Sequence, residues 1–228
     1  MSRGSRDAQA RDTGPGQPRT NRPGALLIIG VHEEELAFGE QVAQGMSRRR
    51  IDLLRIPKGI SGRHPRPDQR FYYKLQHQEI YHQLLKIVER EHYSLVIDLH
   101  AGVDSQKTGA DVYCPDSSLR DCLGHAMQDD VFDSPPGGPM VRMLALTRSA
   151  NNDGPSVETV IPTAVWNNDR FRYVGLEIYL RHRDGGTERE WAFARLLIAR
   201  ILDCGLSDGN GPCPWDGDAP QRASVRQG

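Results

Sequence analysis

The sequence predicts an α/β fold: a mostly parallel or mixed central sheet with helices on both faces. Three observations carry this. Short apolar runs at Ala25–Val31 and Ser94–Leu99 have the look of strands buried on both sides. Stretches of helical period lie between the apolar runs, so strand, helix, strand, helix, strand follow one another up to residue 100. Strands linked in this way run parallel and take right-handed crossovers.

Taken in order, residues 1–23 hold arginine, glycine, proline and polar residues with almost nothing to bury, the composition of a disordered tail. The run Ala25–Val31 is the first strand. From Glu33 to Met46 the apolar residues Phe38, Val42 and Met46 recur every four, which predicts a helix. Ile51–Ile56 reads as the second strand, and Pro57–Asp68 as a Gly/Pro-rich loop. Phe71–Glu91 is the longest helical pattern, with Tyr73, Ile80, Leu84, Ile87 and Val88 on one face. Ser94–Leu99 is the third strand and delivers His100.

Beyond His100 the pattern is less regular. Strands are expected at Asp111–Cys114, Met140–Leu146, Val157–Val165 and Tyr173–Leu180, with a short helix near Leu119–Gln128 and a loop at 134–139. Thr187 and Glu190 form a capping-box pair that opens an amphipathic helix ended by Gly205. Glycine, proline and aspartate return from 207 to 228, read as a second disordered tail. The chain is therefore expected to hold one domain, 24–206.

The formal net charge of −1 gives no field that would draw the chain to nucleic acid or an anionic membrane. No run approaches the roughly 18 apolar residues that span a bilayer, and no apolar segment near the N-terminus reads as a signal peptide. Cys114, Cys122, Cys204 and Cys213 show no paired spacing, so reduced thiols and a cytoplasmic location are expected. The oligomeric state is not legible.

The chemistry gathers at strand ends. A catalytic zinc takes three ligands from the His/Glu/Asp/Cys set and keeps one position open. His32 and Glu35 lie three residues apart across a strand-to-helix junction, and His100 closes another strand. In open parallel sheets ligands bind beyond the carboxyl ends of the strands, where both histidines fall. A bare His-x-x-Glu is weak, because eight histidines and 30 acids give about one match by chance; its position after a buried strand and the second strand-end histidine strengthen it. Glu33 and Glu34 suit the positive end of a helix dipole. Asp98 shares a face with His100, either orienting it or marking a polar strand end.

Glu177 interrupts the apolar run Tyr173–Leu180. A carboxylate there needs a partner: either water activated at a metal, with Glu177 as the proton carrier, or a salt bridge to Arg172 or Arg181. His77, on the apolar side of its helix, reads as a packed core histidine, and His82, five residues on, does not share its face.

Together Gly30-Val31-His32-Glu33-Glu34-Glu35, Asp98-Leu99-His100 and Gly175-Leu176-Glu177 resemble the zinc carboxypeptidase superfamily, in its succinylglutamate desuccinylase/aspartoacylase-like branch, over residues 25–205. The resemblance implies one Zn²⁺ per chain on His32, Glu35 and His100, with Glu177 as general base and acid. It also implies an arginine that polarises the scissile carbonyl or holds a carboxylate. Arg70 is the nearest match, although Gln69 stands where the family has asparagine; Arg63 and Arg66 compete from the same loop. Arg170 and Arg172, beside Asn167 and Asn168, are expected to bind a substrate carboxylate. Two glutamates replace the family's usual residues between the first histidine and Glu35, and the interval to His100 is short, implying a trimmed scaffold. For the family's substrate-side tyrosine the candidates are Tyr173 and Tyr179.

The expected function is hydrolysis of an amide bond in a small N-acyl amino acid or similar carboxylate-bearing substrate. The alternatives are a zinc carboxypeptidase acting on peptides, cell-wall peptides included, and a non-catalytic binding module on the same fold. A nucleotide-binding protein ranks last, because no Gly-rich phosphate loop follows the first strand.

Overall fold

The computed structural model describes residues 24–61, 66–104, 109–127, 140–146, 159–182 and 185–207. The first apolar run is strand β1 (Ala25–Ile29), every residue of it buried. Gly30 then turns the chain at φ +81°, where a Cβ would meet the Ile56 carbonyl oxygen at 2.7 Å, so only glycine fits without strain. A 3₁₀ turn at Glu33–Glu35 leads into α1 (Leu36–Gln44). Next come β2 (Ile51–Arg55), α2 (Arg70–Glu91), β3 (Leu95–Val103), β4 (Gly109–Cys114) and α3 (Ser117–Ala126). Then follow β5 (Met140–Ala145), α4 (Thr163–Trp166), β6 (Arg172–Leu180) and α5 (Glu188–Gly205). The capping box opening α5 is present, with Thr187 and Glu190 bonding reciprocally.

The described strands form one six-stranded sheet in the order β2-β1-β3-β6-β4-β5. β1 pairs in parallel with β2 and β3, and β3 in parallel with β6. β4 runs antiparallel to β6 and carries β5 parallel to itself, so the sheet is mixed.

Side-chain alternation along each strand sorts the core into two layers. Ala25, Leu27 and Ile29 of β1, Leu95, Ile97 and Leu99 of β3, and Val174, Leu176 and Ile178 of β6 pack with α1, α3 and α5. Leu26 and Ile28, Val96 and Tyr173 face the other way, against Tyr81, Leu84 and Val88 of α2. Helices thus cover both faces. Asp98 and His100 alternate with the first set on β3, and Glu177 does so on β6, so all three lie on the α2 side.

Three expectations need correction. Val157–Val165 is not a strand where it is described: Thr163–Trp166 is a helical turn that follows Pro162, and 159–162 are irregular. The cysteines are not all reduced thiols, because Cys122 of α3 and Cys204 of α5 form a disulfide across 82 residues of sequence. Packing α3 on α5 brings their Cα atoms within 6.0 Å, a proximity that sequence spacing does not reveal. Cys114 is a free, buried thiol, which burial pushes up to about 12. The inward stripe of α2 is His77, Tyr81, Leu84 and Val88, displaced from the face read in the sequence. Residues 1–23 and 208–228, the loop at 134–139 and Cys213 lie outside the described residues. Among the described residues no helix is long and apolar enough to cross a membrane.

Candidate metal centre

The turn at Gly30 brings the 3₁₀ segment over the carboxyl end of β1, beside that of β3. There the three expected ligands converge. Donor atoms of His32, Glu35 and His100 all lie within 4.8 Å of one another. Glu33 and Glu34 point to solvent, whereas Glu35 is 5% exposed, so one acid of the three is turned inward.

The Glu35 carboxylate sits between the two imidazoles. Its Oε1 is 2.8 Å from His32 Nδ1 and its Oε2 is 3.0 Å from His100 Nδ1. A carboxylate only accepts, so both Nδ1 atoms donate to it. Two protons therefore hold together the three side chains that a cation would bind. This donor set, two imidazoles turned in by the same ring nitrogen and one carboxylate, fits a tetrahedral zinc with a remaining position open to solvent.

The electrostatics follow from this geometry. Burial opposes ionisation of Glu35, but the charges and hydrogen bonds of His100 and His32 outweigh it and hold the carboxyl at about 2. Burial likewise opposes a charge on His100, and the carboxylates of Asp98 and Glu35 reverse that, raising its imidazole well above the ordinary value.

Each imidazole is also held at its far nitrogen. His100 Nε2 is 3.3 Å from Asp98 Oδ2. That same oxygen accepts from Tyr81 Oη at 2.6 Å and Tyr173 Oη at 2.9 Å. Asp98 is fully buried, and burial raises its carboxyl less than His100 and the two tyrosines lower it. A carboxylate–histidine pair of this kind fixes the ring and its tautomer. Of the two readings of Asp98, the structure places it as the partner of His100. Tyr173 is thereby engaged with Asp98 and is buried, at the wall of the same cavity. Tyr179 instead donates to Asp111 at 2.6 Å, beside the bidentate Arg142–Asp111 pair.

His32 Nε2 faces α2. His77 Nε2 lies 3.1 Å away and Tyr73 Oη 3.3 Å away. Burial lowers the His77 imidazole, favouring its neutral form. Neither residue was among the expected site residues; the signal was the four-residue spacing Tyr73, His77, Tyr81, a polar aromatic stripe along one helical face.

Glu177 is paired across the sheet with His100, one strand over. It lines a cavity of about 320 Å³ together with His32, His100, Tyr73, His77 and Tyr113. Its carboxylate lies over Gly102, where an added Cβ would come within 2.5 Å of Oε1. Arg172 is engaged elsewhere, 3.3 Å from Asp116, and so does not supply the salt bridge that was the other reading of Glu177.

The arginines do not all gather here. Arg172 pairs with Leu95, five residues back along β3 from His100, which puts it about 16 Å from the histidine at ~3.3 Å per residue. Arg170 is in an ion pair with Glu89 at 2.6 Å. Both stand at the entry end of β6, and the structure does not bring them to the cavity with Glu177. Arg70 opens α2 one turn before Tyr73 and is exposed. Arg66 is exposed, and Arg63 lies outside the described residues.

No protein-family model matches the chain, and no curated protein matches it. Among solved structures it is similar to murine aminoacylase 3, at 17% identity over 83% of this chain and 65% of that one, with a TM-score of 0.43. It is similar to the N-acetylmuramoyl-L-alanine amidase AmiC2 of Nostoc punctiforme, at 11% identity over 81% and 97%, TM-score 0.42. A third is the ectoine utilization protein EutE (DoeB) from Ruegeria pomeroyi, at 16% identity over 81% and 57%, TM-score 0.41. The chain thus spans less than two thirds of the length of aminoacylase 3.

Proposed function

We propose that this chain is a zinc-dependent hydrolase that cleaves the amide bond of a small N-acyl amino acid or similar carboxylate-bearing substrate. The observation that carries the reading is the convergence of His32 Nδ1, Glu35 and His100 Nδ1, with Glu177 on the neighbouring strand facing the same cavity. A zinc ion on those three side chains would supply Lewis acidity and acidify water at neutral pH.

The chain's own groups supply the rest. Glu177 takes a proton from the attacking water on its carboxylate and returns it to the leaving nitrogen, one residue serving in turn as base and acid. Asp98 and His77 hold the two imidazoles in place, so little reorganisation is needed as charge develops. Leu146 and Ile161 give the cavity an apolar wall. Arg70 is the proposed partner of the substrate carboxylate, one helical turn from Tyr73. A volume of about 320 Å³ is at the small end of ligand sites and favours a single acylated amino acid over an extended peptide.

The test is Glu177→Gln in zinc-loaded protein, assayed on a panel of N-acyl amino acids. Retained zinc with hydrolysis reduced to background is expected. An active variant removes Glu177 from the mechanism, and a wild type that binds zinc but hydrolyses no amide favours the non-catalytic module.

A further inference from the structure

The cavity beside the candidate ligands extends across the sheet, and its lining changes character on the way. His32, His100 and Glu177 stand at the ligand end. Gly175, two residues before Glu177 on the same face of β6, pairs with Asp98 of β3 on one side and Tyr113 of β4 on the other. Beyond it lie Tyr113 and Leu146, which with Val160 and Ile161 supply the apolar lining. β3 and β4 are two strand spacings apart, roughly 10 Å, and Gly175 is the floor between them. Its φ is not positive, so the backbone does not call for glycine. Nor does packing: an added Cβ would lie 3.4 Å from Tyr113 Cβ and 3.4 Å from Tyr173 Oη, ordinary contact distances. What the missing side chain provides is open space above the sheet.

No lysine or arginine is among the described residues that line this cavity. Tyr81 and Tyr173 give their hydroxyl protons to Asp98, and the Tyr113 hydroxyl is turned to Asp111 at 3.4 Å. Carboxylates only accept, so these protons are committed, and the walls offer aromatic and aliphatic carbon rather than donors. A carboxylate on the acyl side of a substrate would meet Glu177 with no cation among the described lining residues to balance it. We propose that the cavity beyond Gly175 is a pocket for an uncharged, apolar acyl group longer than acetyl. The inference rests on the hydrolase reading above. The scissile carbonyl sits beside His100 and Glu177, and the acyl chain runs over Gly175 toward Tyr113 and Leu146. The amino-acid carboxylate stays outside the apolar part, on the side of Arg70. Water adds across the C–N bond, with its proton passing to the nitrogen, so the products are an apolar carboxylic acid and a free amino acid.

The experiment uses the full-length chain and three probes, N-acetyl-, N-hexanoyl- and N-succinylglycine, in which the acyl group is the only variable. Two quantities are read: binding to Glu177→Gln by calorimetry, and kcat/KM in zinc-loaded chain with Glu177 intact. A buried methylene is worth about fourfold, so hexanoyl, with four more than acetyl, should bind and turn over on the order of 100-fold better. Succinyl should fall below acetyl. Gly175→Ala puts a methyl group on the floor and should cut the hexanoyl-to-acetyl ratio about tenfold, with zinc content and melting temperature reporting on the site and the fold. Val160→Lys places a cation at a wall position that is 42% exposed, and should raise succinyl relative to hexanoyl in both measurements. Hexanoyl no better than acetyl, succinyl preferred by the chain without the lysine, or an unchanged ratio in folded Gly175→Ala overturns the inference. Hydrolysis that favours acetyl or succinyl removes the apolar pocket and leaves the hydrolase reading standing. Preferential hexanoyl binding with no turnover of any probe removes the hydrolase reading and leaves the pocket supported.

Discussion

Gly102 sets the position of the proposed base. It lies two residues beyond His100 on the same face of β3, and the Glu177 carboxylate folds over it. In Gly102→Ala the new Cβ would fall 2.5 Å from Glu177 Oε1. The oxygen must retreat by about 0.9 Å to reach the 3.4 Å at which ordinary contact begins. That oxygen ends a flexible side chain, so the fold absorbs the change at little cost. Catalysis does not, because a displacement near 1 Å in a reacting group costs about 100-fold, or roughly 2.7 kcal/mol of barrier. Steady-state hydrolysis of an N-acyl amino acid, measured beside zinc content and melting temperature, should show kcat/KM down about 100-fold with zinc and stability near wild type. Wild-type kcat/KM in a zinc-loaded Gly102→Ala chain would refute the placement of Glu177 at the reacting bond. A loss of zinc along with activity would show that the substitution disturbs the ligands instead.

Two further predictions concern the residues behind the ligands. Tyr81→Phe deletes a 2.6 Å hydrogen bond to the buried Asp98 carboxylate and should cost about 1–3 kcal/mol of stability, read by urea unfolding, with weaker zinc binding as His100 loosens. Glu35 makes metal-stripped protein acid-sensitive: its carboxyl is held at about 2 against an ordinary 4.5, so its contribution of about 3 kcal/mol is present above pH 4.5 and lost as pH falls toward 2. The raised imidazole of His100 acts on the other side, contributing fully below 6.5 and fading as pH climbs through its raised value. Melting temperature against pH should fall on the acid limb in wild type and be flatter there in Glu35→Gln.

What the sequence made legible follows from what local pattern encodes. Apolar runs ending in Gly30 and His100 marked strands and the ends at which ligands gather, because burial on both faces leaves an unbroken hydrophobic signature. Glu35 stood out from Glu33 and Glu34 once His100 was recognised, and its burial agrees. Other features depend on tertiary geometry. The antiparallel entry of β4 is a matter of how strands return, which composition does not record. Arg170 and Arg172 looked close to Glu177 in sequence, but strand direction carries them to the far end of the sheet. His77 passed for a core residue, and it is one by burial. Its ring nitrogen nevertheless lies 3.1 Å from that of His32, 45 residues away in sequence, a contact that only the folded chain makes. The Cys122–Cys204 disulfide joins two helices that only the folded core makes neighbours.

The central claim is a metal site on His32, Glu35 and His100, and metal analysis of the purified full-length chain tests it most directly. Wild type, stripped and then reloaded, should carry one zinc per chain after gel filtration, while His32→Ala and His100→Ala, folded by circular dichroism, should carry none. A folded wild type that retains no zinc, or variants that retain as much as wild type, would contradict the account.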